Sequence, residues 1–109
     1  MGEALTEFTD ANFETTVLQL AKPVLVDFWA PWCGPCRTMG PVLEEFAHEH
    51  GEVIDVGKLN VEEQGPVAEQ YSIQAMPTLL VFKGGKVAEQ RVGKMSKDAL
   101  VKLLEPHLA

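Results

Sequence analysis

Cysteine is scarce in this chain: the two present, Cys33 and Cys36, are too few for a disulfide scaffold. Positive charge is short as well. Nine Lys and Arg stand against sixteen Asp and Glu, for a formal net charge of −7. A nucleic-acid binder needs a basic face to displace phosphate counterions, and a polybasic membrane-surface protein needs one to meet anionic lipid, so both classes are set aside. No apolar run approaches the roughly 20 residues of a membrane-spanning helix; the longest, Pro23–Ala30 and Thr78–Phe82, have the length of buried strands. The N-terminus, Met1-Gly2-Glu3-Ala4-Leu5-Thr6, has neither the basic start nor the apolar stretch of a secretory signal. It fits a Met-Gly-x-x-x-Ser/Thr myristoylation pattern, but no basic residues follow to supply the second signal that stable anchoring needs, so an ordinary soluble terminus is the better reading. Repeats, linkers and Asn-x-Ser/Thr sequons are missing too. A cytoplasmic protein is the expectation, and there a cysteine pair stays reduced unless it is redox-active or holds a metal.

What is present is the composition of a folded globule, with 46% apolar and 23% charged residues. A length of 109 residues suits one domain, 1–109, that buries roughly two-thirds of its unfolded surface. Thr9-Asp10 offers an N-cap for a helix near Ala11–Leu20, with Phe13, Val17 and Leu20 on one face. Pro23–Trp29 is nearly continuous in apolar residues, the pattern of a strand covered on both faces. A longer helix is expected from Gly34 to His50, kinked at Pro41 and stopped by Gly51. Val53–Leu59 reads as a strand, Gly65-Pro66 as the start of a short helix, and Thr78–Phe82 as another strand. Gly84-Gly85 is a hairpin turn into Lys86–Val92, and Ser96 caps a last helix. With a weak strand at the N-terminus, this predicts an α/β fold. Its mixed central sheet has a parallel core built by strand–helix–strand units and an antiparallel C-terminal hairpin, with helices on both faces.

Trp32-Cys33-Gly34-Pro35-Cys36 falls where the central strand passes into the long helix. Residues three apart on a helical turn have the close Cα atoms a disulfide requires. The loop such a bond closes is tiny, so the bond adds little stability and suits opening and closing. Free N–H groups and the positive dipole end at the helix start favour a thiolate at Cys33. Cys36, a turn inside, is expected to be more shielded. Cys33 then attacks a substrate disulfide to give a mixed disulfide, and Cys36 attacks Cys33 to release the reduced substrate. Gly34 leaves room for another chain and Pro35 fixes the turn. A structural metal site would need four ligands, and beyond the cysteines only His48, His50 and His107 remain, without metal-ligand spacing, so no metal is assigned. A metal-carrier pair would lie on an exposed loop without a buried strand before it.

Asp27 interrupts the central apolar strand six residues before Cys33. A carboxylate there is costly unless paired or protonated, and burial raises its pKa. Two readings stand side by side. In one, Asp27 takes the proton of the Cys36 thiol, directly or through water. In the other, it is structural: a buried ion pair with Lys58, which interrupts the neighbouring strand in the same way, or a strand-end Asp reaching solvent. Met76-Pro77 precedes a strand; a cis bond beside Cys33 would free the Met76 backbone to pair with an extended substrate segment.

The stretch from Val26 to Cys36 closely resembles the active-site segment of the thioredoxin family. The likeness continues through Lys58-Leu59-Asn60-Val61, Met76-Pro77-Thr78-Leu79, Gly84-Gly85 and Gly93, over essentially the whole chain. The resemblance implies the thioredoxin fold and reduction of disulfide-containing protein substrates. It implies no bound cofactor, the electrons coming from NADPH through a thioredoxin reductase, and a monomer. It carries Cys33 as nucleophile, Cys36 as resolving thiol, Asp27 as proton acceptor with Lys58 as its partner, and Pro77 as the family's cis-proline. Trp32, Gly34, Pro35, Val61, Ala75, Met76, Val92 and Gly93 would form the flat apolar surface that docks partners. The chain departs from common family residues at Gln74, Ala75-Met76, Glu62 and Arg37, which bears on partner preference. Two rival functions remain: an oxidase or isomerase of secreted proteins, disfavoured by Pro35 and the missing signal, and a non-catalytic module that grips a partner through the same surface.

Overall fold

The structure, a computed structural model, describes residues 4–108. Met1 and Gly2 of the myristoylation pattern lie outside the described residues. Five strands form one sheet in the order β1-β3-β2-β4-β5, where β1 is Thr6–Glu7, β2 Val24–Trp29, β3 Asp55–Asn60, β4 Thr78–Lys83 and β5 Lys86–Val92. Helices α1 (Gly34–His50), α2 (Gly65–Gln70) and α3 (Lys97–Leu104) complete the frame.

Strand periodicity explains how two cores arise from one sheet. Val24, Val26 and Phe28 of β2 face one side and join Phe8, Phe13, Val17, Leu80 and Phe82 beneath α2. Leu25 faces the other side with Leu79 and Val81, under Met39, Leu43 and Phe46 of α1 and Leu100 and Leu104 of α3. The same alternation puts Asp27 on the α1 side. In the parallel β2–β3 ladder its Cα partner is Lys58.

Two expectations are corrected. The Ala11–Leu20 segment is not an α-helix; it holds a five-residue π-helical turn, Glu14–Leu18. The hydroxyls of Thr15 and Thr16 both donate to the Asn12 carbonyl, at 3.1 and 2.7 Å, competing with the regular helical bonds. Thr9 and Asn12 exchange backbone-to-side-chain bonds at 2.8 and 3.0 Å. Asp10 caps another element altogether: its carboxylate accepts from the Val67 amide of α2 at 3.0 Å. The second correction concerns β4, which runs antiparallel to β2, not parallel to the core strands. The connection between β3 and β4 begins and ends at one end of the sheet: the Gln64 amide donates to the Asn60 carbonyl at 2.9 Å, and the Met76 carbonyl lies 3.6 Å from Cys33 Sγ beyond β2. The chain therefore re-enters the sheet at the end it left, with Thr78 opposite Phe28.

The other elements form close to where the sequence places them. α1 runs unbroken through Pro41. Its C-cap, Gly51, has an ordinary helical φ of −62°; glycine is needed there because a Cβ would meet the Ala47 carbonyl at 2.7 Å. Gly84 and Gly85 both have positive φ, 61° and 81°, as the tight hairpin requires. Ser96 caps α3 by accepting from the Ala99 amide at 3.1 Å.

Gly57 ties the first strand to the sheet. Its Cα faces Thr6, and a Cβ there would collide with the Thr6 carbonyl and the Phe8 ring. Gly57→Ala is therefore expected to destabilise the protein by about 2–3 kcal/mol through overpacking. A urea midpoint unchanged from wild type would show that β1 yields freely.

Candidate active site

The redox pair is positioned by the junction of β2 and α1. After Trp29 the chain turns, with the Cys33 amide donating to the Ala30 carbonyl at 3.1 Å. Cys33 is the N-cap of α1, in extended conformation, and its Sγ accepts from the Cys36 amide at 3.2 Å. A helix-start N–H pointing at Sγ is the contact that stabilises a thiolate. Cys33 and Cys36 are disulfide-bonded with Cα atoms 5.3 Å apart. The expected difference in shielding is not seen: Cys33 is 5% and Cys36 4% exposed. The bond holds both sulfurs in one small apolar cluster with Ala30. What differs is their surroundings. Cys33 Sγ lies 3.6 Å from the Met76 carbonyl at the rim, whereas Cys36 lines a cleft shared with Asp27.

That cleft encloses 240 Å³, between Asp27, Trp29 and Lys58 of the sheet and Cys36, Arg37 and Gly40 of α1. Asp27 is 3% exposed, and its Oδ1 has no hydrogen-bond partner among the described residues. Burial pushes the carboxyl up from 3.8 to about 7, with the Lys58 charge pulling the other way. Lys58 does not close on Asp27 as an ion pair within 4.0 Å. Its ammonium instead sits over the Trp29 ring, 5.0 Å from the centroid, and acts on Asp27 from a distance. A carboxyl poised near neutrality, in one cleft with a cysteine, can hold or release a proton there.

Around the pair the rim comes from three separate segments. Trp32, Gly34 and Pro35 are exposed beside Cys33, Trp32 at 62%. The Met76-Pro77 bond is cis; Pro77 is buried, Ala75 exposed and Met76 half-buried. Met76 and Val61 pack on the cysteine cluster. Val92 is 61% exposed. Gly93, at a φ of 100° that favours glycine, donates its amide to the Pro77 carbonyl at 2.8 Å, which draws the third segment against the second.

Two residues matter more here than their sequence reading suggested. The indole N–H of Trp32 donates to the Glu62 carboxylate, tethering the most exposed ring of the rim. Arg37 donates from Nη2 to the Pro31 carbonyl at 3.1 Å, bracing the turn before the cysteines. In the sequence they stand out only as departures from family habit. The Trp32–Glu62 contact spans 30 residues, so no local pattern announces it.

Each histidine lies beside a carboxylate: His48 at 3.9 Å from Glu44, His50 at 3.9 Å from Glu49 and His107 at 3.0 Å from Glu89. Among the described residues no group of three His, Cys, Asp or Glu is placed to hold a metal. Among the same residues no helix is long and apolar enough to cross a membrane.

Comparison with known proteins agrees with this geometry. The thioredoxin family model matches residues 4–106. The thioredoxin of Acidithiobacillus ferridurans is 46% identical over 108 residues, covering 99% of this chain and 100% of that protein. Thioredoxin 1 of a Nostoc species is 48% identical over 105 residues, 96% of this chain and 98% of its own. The thioredoxin of Alicyclobacillus acidocaldarius is 52% identical over 97 residues, 89% of this chain and 91% of its own.

Proposed function

The chain belongs to the thioredoxin family and is a thiol–disulfide oxidoreductase that reduces protein disulfides with its Cys33–Cys36 pair; from that premise we propose the division of roles within the site. Cys33 is the attacking thiolate. It displaces one sulfur of a substrate disulfide and forms the mixed disulfide, and the displaced sulfur leaves as a thiolate that takes up a proton. Cys36 then gives its proton to Asp27 and attacks Cys33 Sγ, expelling the second substrate thiolate and closing the Cys33–Cys36 disulfide. Two electrons pass to the substrate in each cycle. The observation that carries the proton step is the unpartnered Asp27 Oδ1 in the cleft that Cys36 lines. Lys58 tempers the Asp27 pKa through its charge.

An extended substrate segment docks on Trp32, Gly34, Pro35, Val61, Ala75, Met76, Val92 and Gly93, its backbone beside Met76, with Pro77 shaping that edge. The exposure of Trp32 and Val92 and the nearness of the Met76 carbonyl to Cys33 support this. The family works with a reductase and with disulfide substrates in general. Here the electrons return from NADPH through a thioredoxin reductase, with no bound cofactor, in the cytoplasm. The working unit is a monomer, since one chain carries the dithiol, the proton acceptor and the rim.

The test is NADPH consumption in a mixture of the protein, a bacterial thioredoxin reductase and insulin. Consumption proportional to the amount of this protein is expected. Insulin reduction driven by dithiothreitol but not by NADPH and reductase would overturn the electron source while leaving the chemistry intact.

A further inference from the structure

Where the rim passes into α3, its backbone is held by a sulfur atom. Met39 follows Cys36 by about one turn of α1 and is only 1% exposed. Its Sδ accepts from the Met95 backbone amide at 3.2 Å, across 56 residues. That amide has no other acceptor among the described residues. Met95 stands between Gly93 of the rim and Ser96, the N-cap of α3. Its half-buried side chain packs on the same core as Met39. A cleft of 340 Å³ opens here, between Thr38, Met39 and Val42 of α1 and residues 94–96. The third segment of the rim therefore has two anchors. One is the Gly93 amide on the Pro77 carbonyl at 2.8 Å. The other hangs on a thioether, a weak acceptor that peroxide converts to a sulfoxide.

Resting on the docking surface described above, we propose that Met39 is an oxidation site that governs the third segment of the rim. Hydrogen peroxide transfers one oxygen atom to Sδ. An S–O bond forms as the O–O bond breaks, the sulfur loses two electrons, and the peroxide leaves as water. Because so little of Met39 is exposed, the reaction waits on opening of residues 94–96 at the cleft, and Met39 reacts after the half-buried Met76. The new oxygen has two places to go. Sδ and the amide nitrogen are 3.2 Å apart, and an N–H···O bond alone takes about 2.9 Å, so an oxygen between them pushes Met95 away. On the other side it enters the apolar cluster of Leu43, Phe46 and Leu100, where an unbonded oxygen is costly. Either way Met95 loosens, and with it Val92 and Gly93. Met39 touches no reacting atom; it is a positioning residue.

The test treats the disulfide form with hydrogen peroxide, since Cys33 and Cys36 are then closed to it. Peptide mass mapping locates the sulfoxides, hydrogen exchange follows the Met95 amide, and KM and kcat for insulin with dithiothreitol follow docking. Wild type carrying Met39 sulfoxide is expected to exchange faster at Met95 and to show a KM raised about three- to tenfold, the effect of a lost hydrogen bond. Its kcat stays within about twofold, as does its rate on hydroxyethyl disulfide, which is too small to reach Val92. Met39→Leu keeps the volume and lacks the acceptor. It shows the same changes without peroxide, and what peroxide adds to it is the share of Met76. Met95→Leu keeps its amide and stays as sensitive as wild type. Equal peroxide sensitivity in Met39→Leu and wild type, or Met95 exchange unmoved by Met39 oxidation, overturns the proposal. Faster exchange with an unchanged KM would instead overturn the docking reading beneath it, in which Val92 and Gly93 meet substrate.

Discussion

In the insulin assay with dithiothreitol, Cys33→Ser is expected to turn over at the background rate of dithiothreitol alone. A serine hydroxyl stays protonated at neutral pH, and its oxygen cannot take up the sulfur–sulfur linkage on which exchange depends. The N–H of Cys36, now directed at Sγ, would be left with no thiolate to stabilise. Cys36→Ala should behave differently. It retains the nucleophile and loses only the thiol that clears it, so it completes the first step and stops as a stoichiometric mixed disulfide, visible by mass. An adduct on Cys36 in Cys33→Ala, with none on Cys33 in Cys36→Ala, would reverse the assignment. Insulin reduction above background by Cys33→Ser would remove Cys33 from the chemistry.

The second large effect belongs to Asp27, and its sign follows from proton binding. Below about pH 4 the carboxyl is protonated in both the folded and unfolded chains and contributes no pH dependence. Between 3.8 and about 7 the unfolded chain has released the proton while the folded protein keeps it. Over that window stability falls as pH rises, and above about 7 the full penalty of a buried charge is present. The rise from 3.8 to about 7 corresponds to roughly 4 kcal/mol. Asp27→Asn removes the ionisation, so the gap between variant and wild type should widen in the variant's favour by about 2–4 kcal/mol from pH 4 to pH 8. Urea unfolding at the two pH values reads it directly. Asp27→Ala, which also deletes the buried polar group, should likewise be more stable than wild type at pH 8.

Activity should move the opposite way. Without a proton acceptor for Cys36, resolution of the mixed disulfide should slow by about tenfold or more at neutral pH. The inflection near pH 7 in its rate profile should disappear. Superimposable profiles for wild type and Asp27→Asn would end the proton-acceptor role, while a stability gap without a rate effect would leave Asp27 a structural charge. Together the two measurements separate the readings that the sequence leaves open.

How much was legible beforehand depended on how local the physics is. The redox pair was readable because a dithiol three residues apart at a strand-to-helix junction carries its own geometry and its own source of thiolate stability. The extents of β2, α1 and β5 were close to expectation because apolar runs, a helix start and a glycine turn are local signals. The Ala11–Leu20 helix failed where Thr15 and Thr16 turn their hydroxyls on the backbone. The direction of β4 differs from expectation because it depends on which end of the sheet the residues between β3 and β4 return to, and no local pattern carries that.

By itself, then, the sequence determined the chemistry: a thiol pair that exchanges disulfides and a carboxylate stranded in an apolar strand. Tertiary structure decided what that chemistry meets. Asp27 shares a cleft with Cys36 because strand alternation turns it under α1. Met76 stands against Cys33 across 43 residues, and Glu62 holds Trp32 across 30. Such contacts have no local signal, since residues far apart in the chain converge only once strand order and register are set.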